Sequence, residues 1–115
     1  GVVKISGIVC TQGERPDDSE TEDIVINTIT VTHDKPQTGT SNVNIYVPDL
    51  KVKIRRKEQR KADRERMREI GDALVSYLDA QNIADLEFWI ESDIVLQEQQ
   101  VNQHYRNIRI GWNIH

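Results

Sequence analysis

One segment, residues 51–68, holds ten of the fifteen Lys and Arg residues in this chain of 115 residues. Only three acidic residues lie in it, so its formal charge is +7 (10 minus 3), while the rest of the chain has −11 (5 minus 16). Its part RRKEQRKADRER, residues 55–66, contains a single apolar residue, Ala62. Such a segment has no apolar face to bury, so any fold for the chain has to keep it at the surface.

The apolar residues outside this segment predict strands, because they alternate with polar residues or are largely β-branched. The five predicted strands are residues 2–10, 24–31, 42–47, 86–96 and 107–114. Polar and turn-forming residues separate several of them and predict loops. The predicted loops are residues 11–23, 33–41 and 97–103.

One long helix is predicted at about residues 55–80, ending near Asn82. Its second half has apolar residues three and four positions apart, and this spacing predicts a face that lies on a sheet. These residues are Met67, Ile70, Leu74, Tyr77 and Leu78. Its first half is the basic segment, which as a helix would project into solvent. The order β-β-β-α-β-β predicts one α+β domain over residues 1–115, with a mostly antiparallel sheet and the helix packed on one face.

The same sequence excludes several classes of protein. The apolar runs are too short for a transmembrane helix or a signal peptide, so we expect no membrane partner. A single cysteine, Cys10, excludes an internal disulfide and a cysteine-based zinc site, and its position favours a small core residue. The chain begins at Gly1 and its only methionine is Met67, which predicts that native N-terminal residues precede it.

Catalytic chemistry has little support in the sequence. The three histidines, His33, His104 and His115, do not have the spacing of metal ligands. The acidic stretch at 14–23 lacks the glycine and the final glutamate of an EF-hand. No glycine-rich phosphate loop or nucleophile motif occurs. We therefore expect no enzyme activity, no catalytic residue, no metal and no cofactor.

The basic segment leaves three interpretations open. A projecting basic helix is typical of nucleic-acid binding, although it lacks aromatic residues for stacking and belongs to an acidic chain. Alternatively, the basic segment and the acidic loop at residues 11–23 are complementary patches, and on opposite sides of the fold they would favour head-to-tail contacts that close into a ring. The third interpretation is a solvated helix end with weak intrahelical ion pairs.

Three stretches together carry a family resemblance. They are GERPDDSETEDIVIN at 13–27, SNVNIYVPD at 41–49, and the final pair EFWIESDIVLQEQ and HYRNIRIGW. This combination resembles small proteins encoded in prophages and in conjugative or integrated elements. The order of elements is similar to that of the tail-terminator and tail-completion proteins of long-tailed phages. The first helix of that family has no counterpart here, and we expect residues before Gly1 to supply it.

The resemblance implies a structural function without an active site. The expected protein is a subunit of a prophage virion that forms a homo-oligomeric ring, commonly of six subunits, at the head–tail junction. Its expected partners are itself and other tail or connector proteins, and its expected location is the host cytoplasm during assembly and then the virion. The runner-up is a small nucleic-acid-binding accessory protein that uses the basic helix at 51–68.

The resemblance also suggests roles for residues. The expected sheet face under the helix is Val43, Ile45, Val47, Ile108, Ile110 and Trp112, covered by Met67, Ile70, Leu74 and Leu78. Charged residues of the acidic loop and the basic segment are the candidates for subunit contacts. These candidates are Arg15, Asp17, Glu22, Asp23, Arg55, Arg56, Arg60 and Arg64.

Overall fold

The fold is an α+β arrangement in which one helix packs on one face of a mostly antiparallel sheet. The computed structural model describes residues 4–11, 13–16, 19–32, 37–80, 85–98 and 103–115. Their elements are β1 (Val9–Thr11), β2 (Asp23–Val31), β3 (Gln37–Pro48), β4 (Leu50–Ile54), β5 (Lys57–Lys61), α1 (Arg64–Ala80), β6 (Leu86–Glu98) and β7 (Gln103–Ile114). The predicted fold class is therefore confirmed.

Two sheets are formed. The larger has the strand order β1-β2-β3-β7-β6, and all of its pairs are antiparallel except the parallel pair β1–β2. The smaller is the hairpin β4–β5. Strand β6 lies at one edge of the larger sheet, and the three-residue strand β1 lies at the other edge.

The core lies between α1 and the centre of the larger sheet. It is built from alternating strand residues and from the first turns of the helix, and most of it was predicted from the sequence. The buried core cluster is Ile24, Val43, Ile45, Val47, Met67, Ile70 and Ile108. Ile110 and Leu74 are partly buried against it. Burial of each large side chain contributes roughly 1.5–3 kcal/mol.

The predicted long helix is wrong in its first half. Residues 50–54 and 57–61 form the hairpin β4–β5, and the helix begins only at Arg64. In β4, Leu50, Val52 and Ile54 alternate with Lys51 and Lys53, which is the period of a strand. The high charge of the segment obscures this short alternation in the sequence.

A capping residue explains where the helix begins. The Oδ1 atom of Asp63 accepts a hydrogen bond from the backbone N–H of Arg66 at 3.1 Å, and its carbonyl oxygen accepts one from Met67 N–H. The Asp63 side chain therefore satisfies one of the otherwise unpaired N–H groups at the start of α1, and its carbonyl accepts the first regular bond of the helix.

Smaller corrections concern the strand ends. The predicted first strand shortens to Val9–Thr11, with residues 4–8 outside any strand, while β3 and β7 both begin several residues earlier than expected. Tyr77, expected on the buried helix face, is 63% exposed. The expected helix end at Asn82 lies outside the described residues, as do the predicted strand positions 2 and 3.

Candidate functional site

The basic hairpin projects from the rest of the protein. Strand β4 follows β3 after a single residue, Asp49, and within the described residues β4 and β5 pair only with each other. The molecule measures 59 × 30 × 22 Å, and its radius of gyration is 16.1 Å. A compact chain of this length has a radius of gyration of about 13 Å. The elongated shape fits an arm that extends beyond the core.

The hairpin carries most of the positive charge of the protein. Residues 50–61 contain seven Lys and Arg residues and one Glu, a formal charge of +6 (7 minus 1). Lys51 lies directly opposite Arg60 in the hairpin register. Like charges in that position repel each other. An anionic group bound between these two side chains would relieve this repulsion.

The tip of the hairpin consists of two arginines in an unfavourable conformation. Arg55 has φ = 53° and Arg56 has φ = 67°. Two consecutive positive φ angles in a two-residue loop define a type I′ turn, for which Asn-Gly is the relaxed sequence. A left-handed conformation costs roughly 1–2 kcal/mol for an ordinary residue. Both arginines are exposed, so the chain presents two guanidinium groups at the hairpin tip.

The described part of the acidic loop, residues 11–23, is fixed to the core through Asp23. The carboxylate of Asp23 is 1% exposed and accepts hydrogen bonds from Arg15 Nε at 2.8 Å, Ser19 Oγ at 2.6 Å and the Ile8 N–H at 3.0 Å. Burial alone would raise the pKa of Asp23, but these donors outweigh it, so the pKa is lowered. The network keeps the carboxylate ionised inside the protein.

Arg15 extends this network to the sheet. Its guanidinium lies 3.8 Å from the ring centroid of Tyr46 and donates a hydrogen bond to the side-chain carbonyl oxygen of Gln103. Tyr46 in turn stacks on Tyr105, with centroids 4.9 Å apart. Gln103 is 1% exposed, and its side-chain amide donates a hydrogen bond to the Thr21 carbonyl oxygen at 3.0 Å. This bond is a second link between the acidic loop and strand β7.

A second ion pair joins the acidic loop to the helix. The guanidinium of Arg66 binds both carboxylate oxygens of Glu22, with Nε–Oε2 at 2.6 Å and Nη2–Oε1 at 2.9 Å. The bond from Arg66 lowers the pKa of Glu22. Both side chains are only partly exposed, so this bidentate pair is stronger than a surface pair.

The acidic loop therefore lies beside the basic segment. Besides the Glu22–Arg66 pair, Glu20, Lys51, Arg60 and Gln103 line one polar pocket of about 370 Å³ at the base of the hairpin. The condition for a head-to-tail contact between these two patches was that they lie on opposite sides of the fold, and this condition is not met. Part of the acidic loop binds the basic segment of its own chain.

The predicted interface residues thus fall into two groups. Arg55, Arg56, Arg60 and Arg64 are exposed, with the first three on the projecting hairpin and Arg64 at the start of α1. Arg15, Glu22 and Asp23 bind partners within the chain. Asp17 lies outside the described residues.

Besides the basic hairpin, the outer edge of β6 is a second surface with unpaired backbone groups in the described structure. This edge was not predicted as an interface from the sequence. It is thirteen residues long and has no strand on its outer side among the described residues. Its charged residues are Glu87, Glu91, Asp93 and Glu98, with no Lys or Arg. Four large apolar side chains on it are more than one third exposed. They are Trp89, Ile90, Ile94 and Leu96.

An open apolar groove of about 370 Å³ lies near the end of α1, where the helix no longer covers the sheet. Leu74 and Leu78 of the helix form one wall, and the sheet residues include Trp112 and Ile114. Trp112 and Leu78 were predicted to lie in the core. Here they line a groove that is open to solvent.

The described histidines, His104 and His115, lie beside carboxylates, and the cysteine lies in the protein interior. His104 Nδ1 lies 2.6 Å from Asp49 Oδ1, and the exposed His115 lies 3.2 Å from Glu87. Cys10 is buried as predicted, and burial raises the pKa of its thiol. His33 lies outside the described residues. Among the residues that the structure describes, no group of three or more His, Cys, Asp or Glu side chains is placed to hold a metal ion.

No helix in the described part of the chain combines the length and apolar character needed to cross a membrane. Comparison with known proteins finds no family model and no curated protein that matches this chain.

Proposed function

We propose that this protein is a structural subunit that assembles with further copies of itself, as the tail-terminator-like ring protein of a prophage virion would. The observation that carries the proposal is the amount of surface that one copy leaves exposed. The chain exposes 8032 Å², whereas a folded monomer of 13.3 kDa exposes about 6,500 Å². The excess is roughly 1,500 Å².

This excess has the size of two protein contacts. A standard interface buries about 800 Å² on each partner, so a subunit with one neighbour on each side buries about 1,600 Å². The projecting hairpin, the long edge of β6 and the open groove all contribute to the exposed surface. Assembly would cover them, while a solitary monomer would keep them in water.

The proposal implies a protein without catalysis, whose partners are other copies and neighbouring virion proteins. Sedimentation velocity between low and high salt tests it. We expect species at multiples of 13.3 kDa that become smaller as salt rises, because the basic hairpin takes part in the contact. Closed rings in electron micrographs would add support. A strict monomer at high concentration and low salt would contradict it.

A second candidate is nucleic-acid binding by the hairpin, which replaces the basic helix of the sequence-based runner-up. One observation favours it: a two-stranded ribbon of charge +6 has dimensions that the major groove of B-DNA admits. Titration of a duplex oligonucleotide at several salt concentrations tests this candidate. Tight binding that falls steeply with salt and disappears in Arg55→Gln/Arg56→Gln/Arg60→Gln would favour it over self-assembly.

A further inference from the structure

We propose that the basic hairpin of one copy adds to the outer edge of β6 in a second copy as an additional strand of its sheet. This inference rests on the proposed function, because it names the two surfaces through which the subunits join. The hairpin–β6 contact takes the place of a contact between the acidic loop of one copy and the basic segment of the next. Part of that earlier contact, the Glu22–Arg66 pair, is already formed within a single chain.

Both surfaces have unused backbone hydrogen-bonding groups. In the described structure β6 pairs only with β7, and β4 and β5 pair only with each other. Each of these strands therefore presents an outer row of N–H and C=O groups. Such rows bind an added strand when side chains and charge allow it.

Charge selects the hairpin as the occupant of this edge. Strand β6 has four acids and no base, of which Asp93 is bound by Arg106 of β7, and the hairpin has a formal charge of +6. Pairing of β6 with a second β6 would place acids near acids and is unfavourable. Pairing of β6 with the hairpin places Lys and Arg beside Glu and Asp instead.

A bulge strengthens this selection. The β6–β7 register shifts between Ile90 and Ser92, so Glu91 is an extra residue in the edge strand. Bulges and acidic residues on an edge oppose self-pairing. Glu91 is exposed, and within the described part of the chain Glu87 pairs with the exposed His115 alone. These two acids are therefore free to bind the bases of a neighbour.

Apolar side chains on both surfaces add to the contact. Ile94 is 50% exposed on β6, and Leu50 is 46% exposed at the base of the hairpin. The two surfaces belong to different parts of the subunit, so the contact is heterologous and repeats from copy to copy. A ring results when the rotation between copies closes, and a filament when it does not.

A charge-exchange experiment tests this contact in the full chain. One variant is Lys51→Glu/Lys53→Glu on the hairpin, the second is Glu87→Lys/Glu91→Lys on β6, and the third combines all four changes. We expect each pair of substitutions to weaken self-association about tenfold or more, since it places like charges together. The combined variant should return towards the wild-type association constant. Glu65→Lys/Asp79→Lys on exposed sites of α1 is the matched control and should behave like the wild type.

A second measurement reads the backbone directly. Amide exchange of β6 residues should slow when the wild-type protein assembles, and it should stay fast in either charge variant. Circular dichroism and thermal unfolding of each variant confirm that it is folded before its association is compared.

The outcomes separate this inference from the proposed function. Self-association that survives both charge variants, or that the combined variant does not restore, overturns the β6–hairpin contact while self-assembly stands. A wild-type monomer under all conditions overturns both. Hairpin substitutions that change only the affinity for a duplex oligonucleotide identify nucleic acid as the partner and also overturn the contact.

Discussion

Trp112 lies across Gly39, the residue directly opposite it on β3, and its indole fills the space that a side chain at Gly39 would need. The indole N–H donates a hydrogen bond to Ser41 Oγ at 3.1 Å, which fixes the ring. Trp89 covers its own cross-strand partner, Gly111, in the same way. Neighbouring residues of a strand point to opposite faces, so the two tryptophans cover glycines on the two faces of the sheet.

This relationship predicts that Gly39→Ala destabilises the protein. Alanine is favoured over glycine in a strand by roughly 0.5–1 kcal/mol, but its Cβ atom would overlap the ring. Overpacking of this kind costs about 1–3 kcal/mol, so we expect a net loss of about 1 kcal/mol. Urea unfolding measures it. In Trp112→Leu the ring is absent, and the same Gly39→Ala change should then be neutral or stabilising. Equal costs in both backgrounds would contradict the overlap.

Removal of the buried charge at Asp23 should destabilise the fold strongly. Asp23 is 1% exposed and pairs with Arg15, so Asp23→Asn leaves the Arg15 guanidinium without a carboxylate partner inside the protein. Loss of one member of a buried ion pair costs about 3 kcal/mol or more, because the remaining charge stays uncompensated. The free energy of unfolding in urea gives the value. Glu20→Gln, an exposed change in the same loop, is the control and should lie within about 0.5 kcal/mol of wild type.

Acid should destabilise the protein through three carboxylates. The pKa values of Glu22, Asp23 and Asp93 lie below their ordinary values of 4.5, 3.8 and 3.8. In acid the unfolded chain therefore binds more protons than the folded chain. The stability that these groups contribute is complete at pH values above their ordinary pKa values, and it is lost as the pH falls below them. Melting temperatures should be nearly constant from neutral pH down to about pH 5 and then decline.

A substitution at Asp93, the last of these three carboxylates, supplies a control for this pH dependence. Both carboxylate oxygens of Asp93 bind Arg106, at 2.8 and 2.6 Å, and this interaction lowers the pKa of Asp93. Asp93→Asn removes one titrating group, so its melting temperature should fall less steeply with acid than that of the wild type. An identical slope would show that Asp93 contributes nothing to the acid sensitivity.

The part of this fold that can be predicted from the sequence is the part in which apolar residues recur at a regular spacing. The alternation of Val43, Ile45 and Val47 and the spacing of Met67 and Ile70 are enough to identify most of the core from the sequence. The helix start is harder to predict, because Asp63 lies among many charged residues and its capping role depends on its bond to Arg66 N–H. The hairpin is hard to predict because an Arg-Arg turn has no turn-forming residue to mark it.

The candidate site was harder to predict because it depends on pairs that are distant in sequence. The sequence identifies the basic segment, but not that Glu22 binds Arg66 across 44 positions. Gly71 illustrates the same limit: the Arg106 guanidinium fills the space beside it, and that arginine comes from β7. The edge position of β6 follows from strand order, which local patterns do not contain.

The hairpin tip yields a last prediction, because its conformation and its charge can be changed separately. Arg55→Asn/Arg56→Gly places the preferred type I′ pair at the two positions of positive φ. Relief of roughly 1–2 kcal/mol at each of the two positions should slow amide exchange in β4 and β5 about tenfold or more. Global stability should change little, since the hairpin is not part of the core cluster.

Arg55→Lys/Arg56→Lys keeps the charge and the unfavourable turn, so its amide exchange should match that of the wild type. If the tip arginines bind a partner, the Asn-Gly variant should combine a more stable hairpin with weaker self-association, measured by sedimentation. The Lys-Lys variant should keep most of the association, because the attraction between hairpin and acidic edge depends mainly on net charge. Faster exchange in the Asn-Gly variant would contradict the type I′ assignment, whereas unchanged association would remove the tip from the contact.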